Sequence, residues 1–209
     1  MKIQLVIGSR NLKKVKEMKA LIIPYWAPPS WASRVEIVGL DLYPSAPEPD
    51  ETGLTFAENA RIKASEFARA TGQWVLADDS GLAVDALEGR PGIYSARYAG
   101  THGDDAANNA RVLDELRGLP PEKRGAAFVC QLAVADPDCN IRLEAGGQCR
   151  GRIIEDLIGA NGFGYDPLFL IPEYHKTFGE LPAIVKHQLS HRSRAFEHLR
   201  RDLHRIFDV

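Results

Sequence analysis

Residues 74–82 read W-V-L-A-D-D-S-G-L, a short apolar run that meets two adjacent carboxylates, a serine and a glycine. A run of this length, bounded by Gly72 and Gly81, fits a buried strand rather than a helix. The carboxylates then fall at its end, and Ser80-Gly81 opens a loop. Paired carboxylates at the end of a buried strand are costly unless a cation compensates them. A divalent metal is one such compensator and a plain polar turn is the other reading; the motif alone does not choose.

Working outward, the same alternation of types continues. Ile3, Leu5 and Ile7 mark a first, largely buried strand. Gly8-Ser9-Arg10-Asn11 breaks it, and Leu12, Val15, Met18 and Ile22 then recur at helical spacing up to Pro24. Residues 24–33, rich in proline and tryptophan, read as a loop, residues 35–40 as a second strand, and residues 43–50, with three prolines, as another loop. Thr55-Phe56-Ala57-Glu58 has the form of a capping box, and Phe56, Ala60, Ala64 and Phe67 give the helix behind it an apolar face that stops at Gly72. Lys63 lies close to that face. It either snorkels to solvent or points into an anionic cleft.

Downstream of the Asp pair come a loop at residues 89–92 and a helix near residues 104–117 with Ala106, Ala110, Leu113 and Leu116 as its stripe. Residues 126–135 and 141–145 read as paired strands about a turn at Pro137, and residues 168–171 as a further short strand. A last helix from about Ser190 buries Phe196, Leu199, Leu203 and Phe207. No internal repeat, low-complexity tract or linker interrupts the chain. The expectation is one α/β domain over residues 1–209, bent around a cleft.

Bulk properties narrow the partners. A chain of 209 residues with 44% hydrophobic and 26% charged residues has ample core for a soluble globular protein. A formal net charge of −2 argues against a general binder of nucleic acid or anionic membrane. No apolar run is long enough to span a bilayer, and the strand pattern begins directly after Met1-Lys2 without a signal-peptide pattern, so a cytoplasmic location is expected. Cys130, Cys139 and Cys149 have no C-x-x-C spacing and read as free thiols. His187 and His191 are four apart, but no H-E-x-x-H pattern accompanies them, so a zinc site there is the weaker reading.

The chemistry comes from combining segments. The turn Ser9 to Lys14, S-R-N-L-K-K, places Ser9, Asn11, Lys13 and Lys14 around a helix N-terminus, which favours phosphate; a simple N-cap with two solvated lysines is the alternative. Glu51, at the entry to the capped helix, could join Asp78 and Asp79 in a set of oxygen ligands of the kind Mg²⁺ takes alongside water and substrate phosphate. Phosphate donors plus a magnesium-type carboxylate set point to phosphoanhydride cleavage, with one carboxylate activating water. In N-G-F-G-Y-D-P-L-F, residues 161–169, two glycines flank Phe163, which could stack on a base or fill a packed turn. Lys186 and Ser190-His191-Arg192 place cations and donors at the start of the last helix.

Taken in order, these segments resemble the inosine triphosphate pyrophosphatase family over nearly the whole chain. The resemblance rests on Ser9-x-Asn11-x-x-Lys14, E-T-G-L-T-F-A-E-N-A from Glu51, A-D-D-S-G-L from Ala77 and P-G-I-Y-S-A-R-Y-A-G from Pro91. It is completed by G-F-G-Y-D-P from Gly162, K-T-F-G-E-L from Lys176 and S-H-R from Ser190. It implies hydrolysis of dITP, ITP and XTP to monophosphate and pyrophosphate, with Mg²⁺ as cofactor. The implied fold is an elongated mixed sheet with two α/β lobes around a central cleft, and the implied assembly a homodimer. Asp79 would be the catalytic carboxylate and a metal ligand, with Glu51 a second ligand and Asp78 a possible third. Ser9, Asn11, Lys13 and Lys14 would meet the triphosphate, Lys63 would face the phosphates and Ser80 would touch substrate. Phe163, Gly164, Tyr165 and Asp166 would form the nucleoside loop, and Lys186, His191 and Arg192 would meet the base and its 6-oxo group. Donors aimed at an acceptor oxygen would be left unpaired against the amino group of adenine, a mismatch worth up to roughly 10⁴-fold.

Two departures from the family stand out. The segment ahead of Glu51 is longer and carries Tyr25, Trp26 and Trp31, and Ala183-Ile184-Val185 stands before Lys186 where acidic residues are commoner. The rival readings are a pyrophosphatase for modified pyrimidine or other damaged nucleotides, and, in another class, a nucleotide-binding module without turnover. A nucleic-acid module built on the arginine-rich last helix fits the charge balance least.

Overall fold

Apolar runs buried over most of their length form most of the strands, and amphipathic segments form the helices. The computed structural model describes residues 2–23 and 30–207. Along them run β1 (Ile3–Ile7), α1 (Leu12–Ile22), β2 (Val35–Gly39), α2 (Phe56–Thr71), β3 (Trp74–Val84), α3 (Asp105–Glu115), β4 (Gly125–Ala135), β5 (Ile141–Ile153), β6 (Phe169–Ile171), β7 (Lys176–Thr177), α4 (Ala183–Leu189) and α5 (His191–Phe207). The strands form one sheet in the order β2-β1-β3-β4-β5-β6-β7. β1 pairs in parallel with β2, Ile3 opposite Val35, and with β3, Leu5 opposite Trp74. Parallel neighbours need a crossover, which α1 and α2 supply. β6 is antiparallel to both β5 and β7. The sheet is therefore mixed and the chain is α/β, as expected. Among the described residues no helix is long and apolar enough to cross a membrane.

The chain folds as two compact units. The first takes residues up to Asp79, then Cys130–Gly147, and from Arg192 on; the second takes Ser80–Val129 and Gln148–His191. In the first unit successive strand residues point to opposite faces. Leu5, Ile7, Leu76, Leu132 and Val134 meet Met18 and Ile22 of α1 and Phe196, Leu199, Leu203 and Phe207 of α5. Val6, Val38, Val75 and Ala77 on the other face meet Ala60, Ala64 and Phe67 of α2. The α2 capping box is formed: Thr55 accepts from the Glu58 N–H, the Glu58 carboxylate accepts from the Thr55 N–H, and Gly72 ends the helix. The proline- and tryptophan-rich stretch differs from expectation where it is described. Residues 30–33 form a 3-10 turn rather than a loop, and Trp31 is buried with its ring 5.7 Å from that of Phe207. Pro24, Tyr25 and Trp26 lie outside the described residues.

In the second unit Leu82, Val84, Val112, Leu116, Phe128, Ile153, Phe169 and Phe178 form the core. Two sequence expectations change here. β3 does not stop at the Asp pair but runs on to Val84, so Ser80 and Gly81 are strand residues. A Cβ on Gly81 would lie 2.3 Å from Ser95 Oγ, the hydroxyl that accepts the Leu82 N–H at 2.9 Å and donates to Gly92 O at 2.7 Å. The glycine admits a close neighbour to the strand rather than opening a loop. The buried face of α3 is Asn108, Asn109 and Val112, followed by Leu116, while Ala106 and Ala110 are exposed. Asn108 explains part of the shift, since its Oδ1 accepts the Ala99 N–H at 2.7 Å. The histidine pair is also split: His187 lies in α4, His191 opens α5, and Ser190 between them is extended. They share no helical face.

Candidate active site

Asp78 and Asp79 are consecutive on β3, so their side chains leave the sheet on opposite faces. Asp79 follows Val75 and Ala77 to the α2 side. Its Oδ1 lies 2.7 Å from Lys63 Nζ, which also lies 3.2 Å from Glu51 Oε1. Asn59 Nδ2 reaches Asp79 Oδ2 at 3.4 Å, while Asn59 Oδ1 accepts the Gly53 N–H at 2.8 Å. Asn59 and Lys63 are one turn apart on the same face of α2. Of the two sequence readings for Lys63, the structure selects the buried ammonium among carboxylates.

Asp78 follows Leu76 to the α1 and α5 side. Lys14 Nζ lies 3.2 Å from its Oδ2 and Arg192 Nη2 3.4 Å from the same atom, while Arg192 Nη1 donates to Glu17 Oε2 at 2.6 Å. Asp78 therefore pairs with Lys14 and Arg192, while its charge also bears on the Lys63 ammonium that Glu51 and Asp79 meet. Arg192, expected at the base, is almost wholly buried, with its guanidinium against two carboxylates.

Burial opposes charge on Lys63, but Asp79, Asp78 and Glu51 outweigh it and hold its ammonium above the ordinary lysine value. Burial pushes the Asp79 carboxyl above the ordinary aspartate value, against the pull of Lys63 and Lys14. A carboxylate so raised is a better proton acceptor than one in water. Among the described residues no group of three or more His, Cys, Asp or Glu side chains forms a metal cage. Glu51 and Asp79 nevertheless reach one cationic atom, Lys63 Nζ. Two carboxylates that close fit a Mg²⁺ ion completed by water and phosphate oxygens, not an all-protein cage.

The turn before α1 is a capped helix start. Asn11 Oδ1 accepts the Lys13 and Lys14 N–H groups at 3.1 and 3.2 Å, and Ser9 Oγ accepts the Asn11 N–H at 3.2 Å. The Asn11 oxygen is spent on the cap. Ser9 and the exposed Lys13 stand beside it at the helix start.

In the second unit the N-G-F-G-Y-D-P segment is held from within. Asp166 Oδ2 accepts the Phe163 N–H at 2.8 Å and lies 2.5 Å from Lys186 Nζ, which stands 5.1 Å from the Phe163 ring centroid. A Cβ on Gly162, which has φ +78°, would lie 1.9 Å from Asp166 Oδ2. Only glycine allows that approach. Tyr165, expected at the substrate, is instead an anchor, buried in the core with its hydroxyl donating to Ser95 O at 2.9 Å. Burial raises its phenol above the ordinary tyrosine value. Phe163 is half-buried, and His191 is buried with its ring stacked on Phe128, centroids 4.9 Å apart.

The sequence profile of the Ham1 family matches residues 5–202. The chain belongs to the Ham1 family. It is 53% identical over 191 residues to the dITP/XTP pyrophosphatase of Rhodopirellula baltica, covering 91% of this chain and 88% of that one. It is 46% identical over 200 residues to the dITP/XTP pyrophosphatase of Listeria monocytogenes, covering 96% and 94%. The solved Ham1 protein of Coxiella burnetii matches with TM-score 0.84 and 36% identity over 96% of this chain and 98% of its own. The resemblance read from the motifs is therefore correct. Sequence reading of this Ham1 chain missed Glu17 and Asn59, both buried polar residues that bond to site side chains. Each sits three or four residues from a lysine already singled out, Lys14 and Lys63, and that helical spacing was the available signal.

Proposed function

We propose that this chain hydrolyses non-standard purine nucleoside triphosphates, dITP, ITP and XTP among them, to the nucleoside monophosphate and pyrophosphate. The observation that carries the reading is the convergence of Glu51 and Asp79 on Lys63 in a Ham1 chain whose relatives bear the dITP/XTP pyrophosphatase name. Asp79 accepts the proton of the attacking water. Lys63 sets the orientation of that carboxylate and offsets phosphate charge, and Asn59 holds its second oxygen. Ser9, Asn11, Lys13, Lys14 and Ser80 bind the polyphosphate, and the bond between the α and β phosphates is the one that breaks. Mg²⁺ held by Glu51 and Asp79 would neutralise phosphate charge and polarise the anhydride. Phe163 stacks on the base, on a loop set by Gly164 and Asp166, and Lys186 and His191 supply donors toward its 6-oxo oxygen.

The test is a panel of ITP, dITP, XTP, GTP and ATP with and without Mg²⁺, with pyrophosphate separated from orthophosphate. Pyrophosphate from the 6-oxo substrates, lost on chelation, is the expected result. Stepwise orthophosphate through the diphosphate, or equal turnover of ATP, overturns it. The same reading carries a cytoplasmic homodimer. A mass in solution of twice 23.1 kDa, and recovery in the soluble cytoplasmic fraction, are the corresponding observations.

A further inference from the structure

The nucleoside loop is gripped from outside by two residues that no sequence motif singled out. Gly164 donates its N–H to Asp105 Oδ2 at 2.8 Å, and its carbonyl accepts from Asn109 Nδ2 at 3.0 Å. Asp105 and Asn109 are four residues apart, one turn along α3. Asn109 Nδ2 also donates to Asp105 O at 2.8 Å, which fixes the orientation of its amide. Asn109 is buried, and its Oδ1 has no hydrogen-bond partner. A buried amide with one end unsatisfied is costly, and at Asn109 the two bonds made by the donor end offset that cost. Asp105 is not the cap of α3, because Asp104 accepts the Ala107 N–H at 3.0 Å in that role.

We propose that Asp105 and Asn109 are positioning residues for substrate binding: they fix Gly164 by both of its backbone polar groups and so set the ring of Phe163. With the Phe163 N–H held by Asp166, the backbone on each side of that ring is pinned. Gly162 and Gly164 both have positive φ, and a glycine-rich loop left to itself would sample many conformations at an entropic cost on binding. Ordering it beforehand transfers that cost from binding to folding. The assignment of Phe163 to the base rests on the pyrophosphatase reading; the clamp itself does not.

The experiment compares wild type, Asp105→Ala, Asn109→Ala and Asp105→Asn by hydrogen–deuterium exchange of residues 161–166 and by steady-state kinetics with ITP. Losing either hydrogen bond is expected to speed exchange in that segment about tenfold and to raise KM for ITP about tenfold, with kcat little changed. Asp105→Asn keeps an acceptor oxygen and restores most of both. A helical signal at the wild-type level shows that α3 persists. Unchanged exchange in both alanine variants overturns the clamp. Faster exchange with an unchanged KM overturns its role in substrate binding. If wild type itself releases no pyrophosphate from ITP, the pyrophosphatase reading fails, and the exchange arm still decides the clamp.

Discussion

At the centre of β3, Asp79 and Asp78 leave the sheet on opposite faces, and substitutions at the two are expected to read out differently. Asp79→Asn removes the proton acceptor and should lower turnover by about 10²- to 10⁴-fold. Nucleotide affinity measured by calorimetry should largely survive. Wild-type kcat in that variant would remove Asp79 from the mechanism. Asp78 pairs instead with the half-buried Lys14 and with the buried Arg192, which also meets Glu17. Replacing either Asp78 or Glu17 by alanine leaves Arg192 short of a counter-charge, at a cost of roughly 3 kcal/mol in urea unfolding. If Asp78→Ala unfolds at the wild-type midpoint, that group holds nothing together.

At the scale of one element, α2 is specified by a few neighbouring residues, and its start can be tested alone. Thr55→Ala removes the acceptor for the Glu58 N–H and should cost about 1 kcal/mol. Glu58 has a lowered pKa, chiefly because its carboxylate accepts the Leu54 N–H, with Thr55 adding to this. Its folded value lies below its unfolded one. The stability it adds is therefore complete above the ordinary glutamate pKa, about 4.3, and is lost as pH falls through the folded value. Glu58→Gln should flatten that part of a plot of unfolding temperature against pH, and an identical acid slope in the variant would rule the linkage out. α3 behaves differently, because its buried face includes Asn108 and Asn109, which a hydropathy pattern reads as solvent-facing. Their partners, Ala99 and Gly164, are nine and 55 positions away in sequence.

Across the whole molecule, burial sets the reactivity of the three thiols. Cys130 and Cys149 are buried and Cys139 is partly exposed. Burial pushes the Cys130 thiol far above its ordinary value, with Asp78 adding to the shift. A thiolate is the reactive form. Titration of the native protein with a thiol-specific disulfide reagent at pH 8 is therefore expected to modify Cys139 alone, and all three after denaturation in guanidinium. Rapid modification of Cys130 in the native state would contradict its place in the core with Leu132 and Phe196.

The sequence by itself determined the class of fold, because strand alternation, helical stripes and the Thr55–Glu58 cap are local signals carried by a few adjacent residues. It also determined the family, through motifs kept in order along nearly the whole chain. Tertiary structure alone decided which face each carboxylate of the Asp pair takes. The pair lies within β3 rather than at its end, and the strand runs on past the close approach of Ser95 at Gly81. It alone buried Trp31 against Phe207, joined Glu17 to Arg192 and set Asn109 under Gly164. Each of these pairs is far apart in the chain, so neither partner's environment is written in its own neighbours. A polar side chain reads as exposed until the group that satisfies it has been brought alongside.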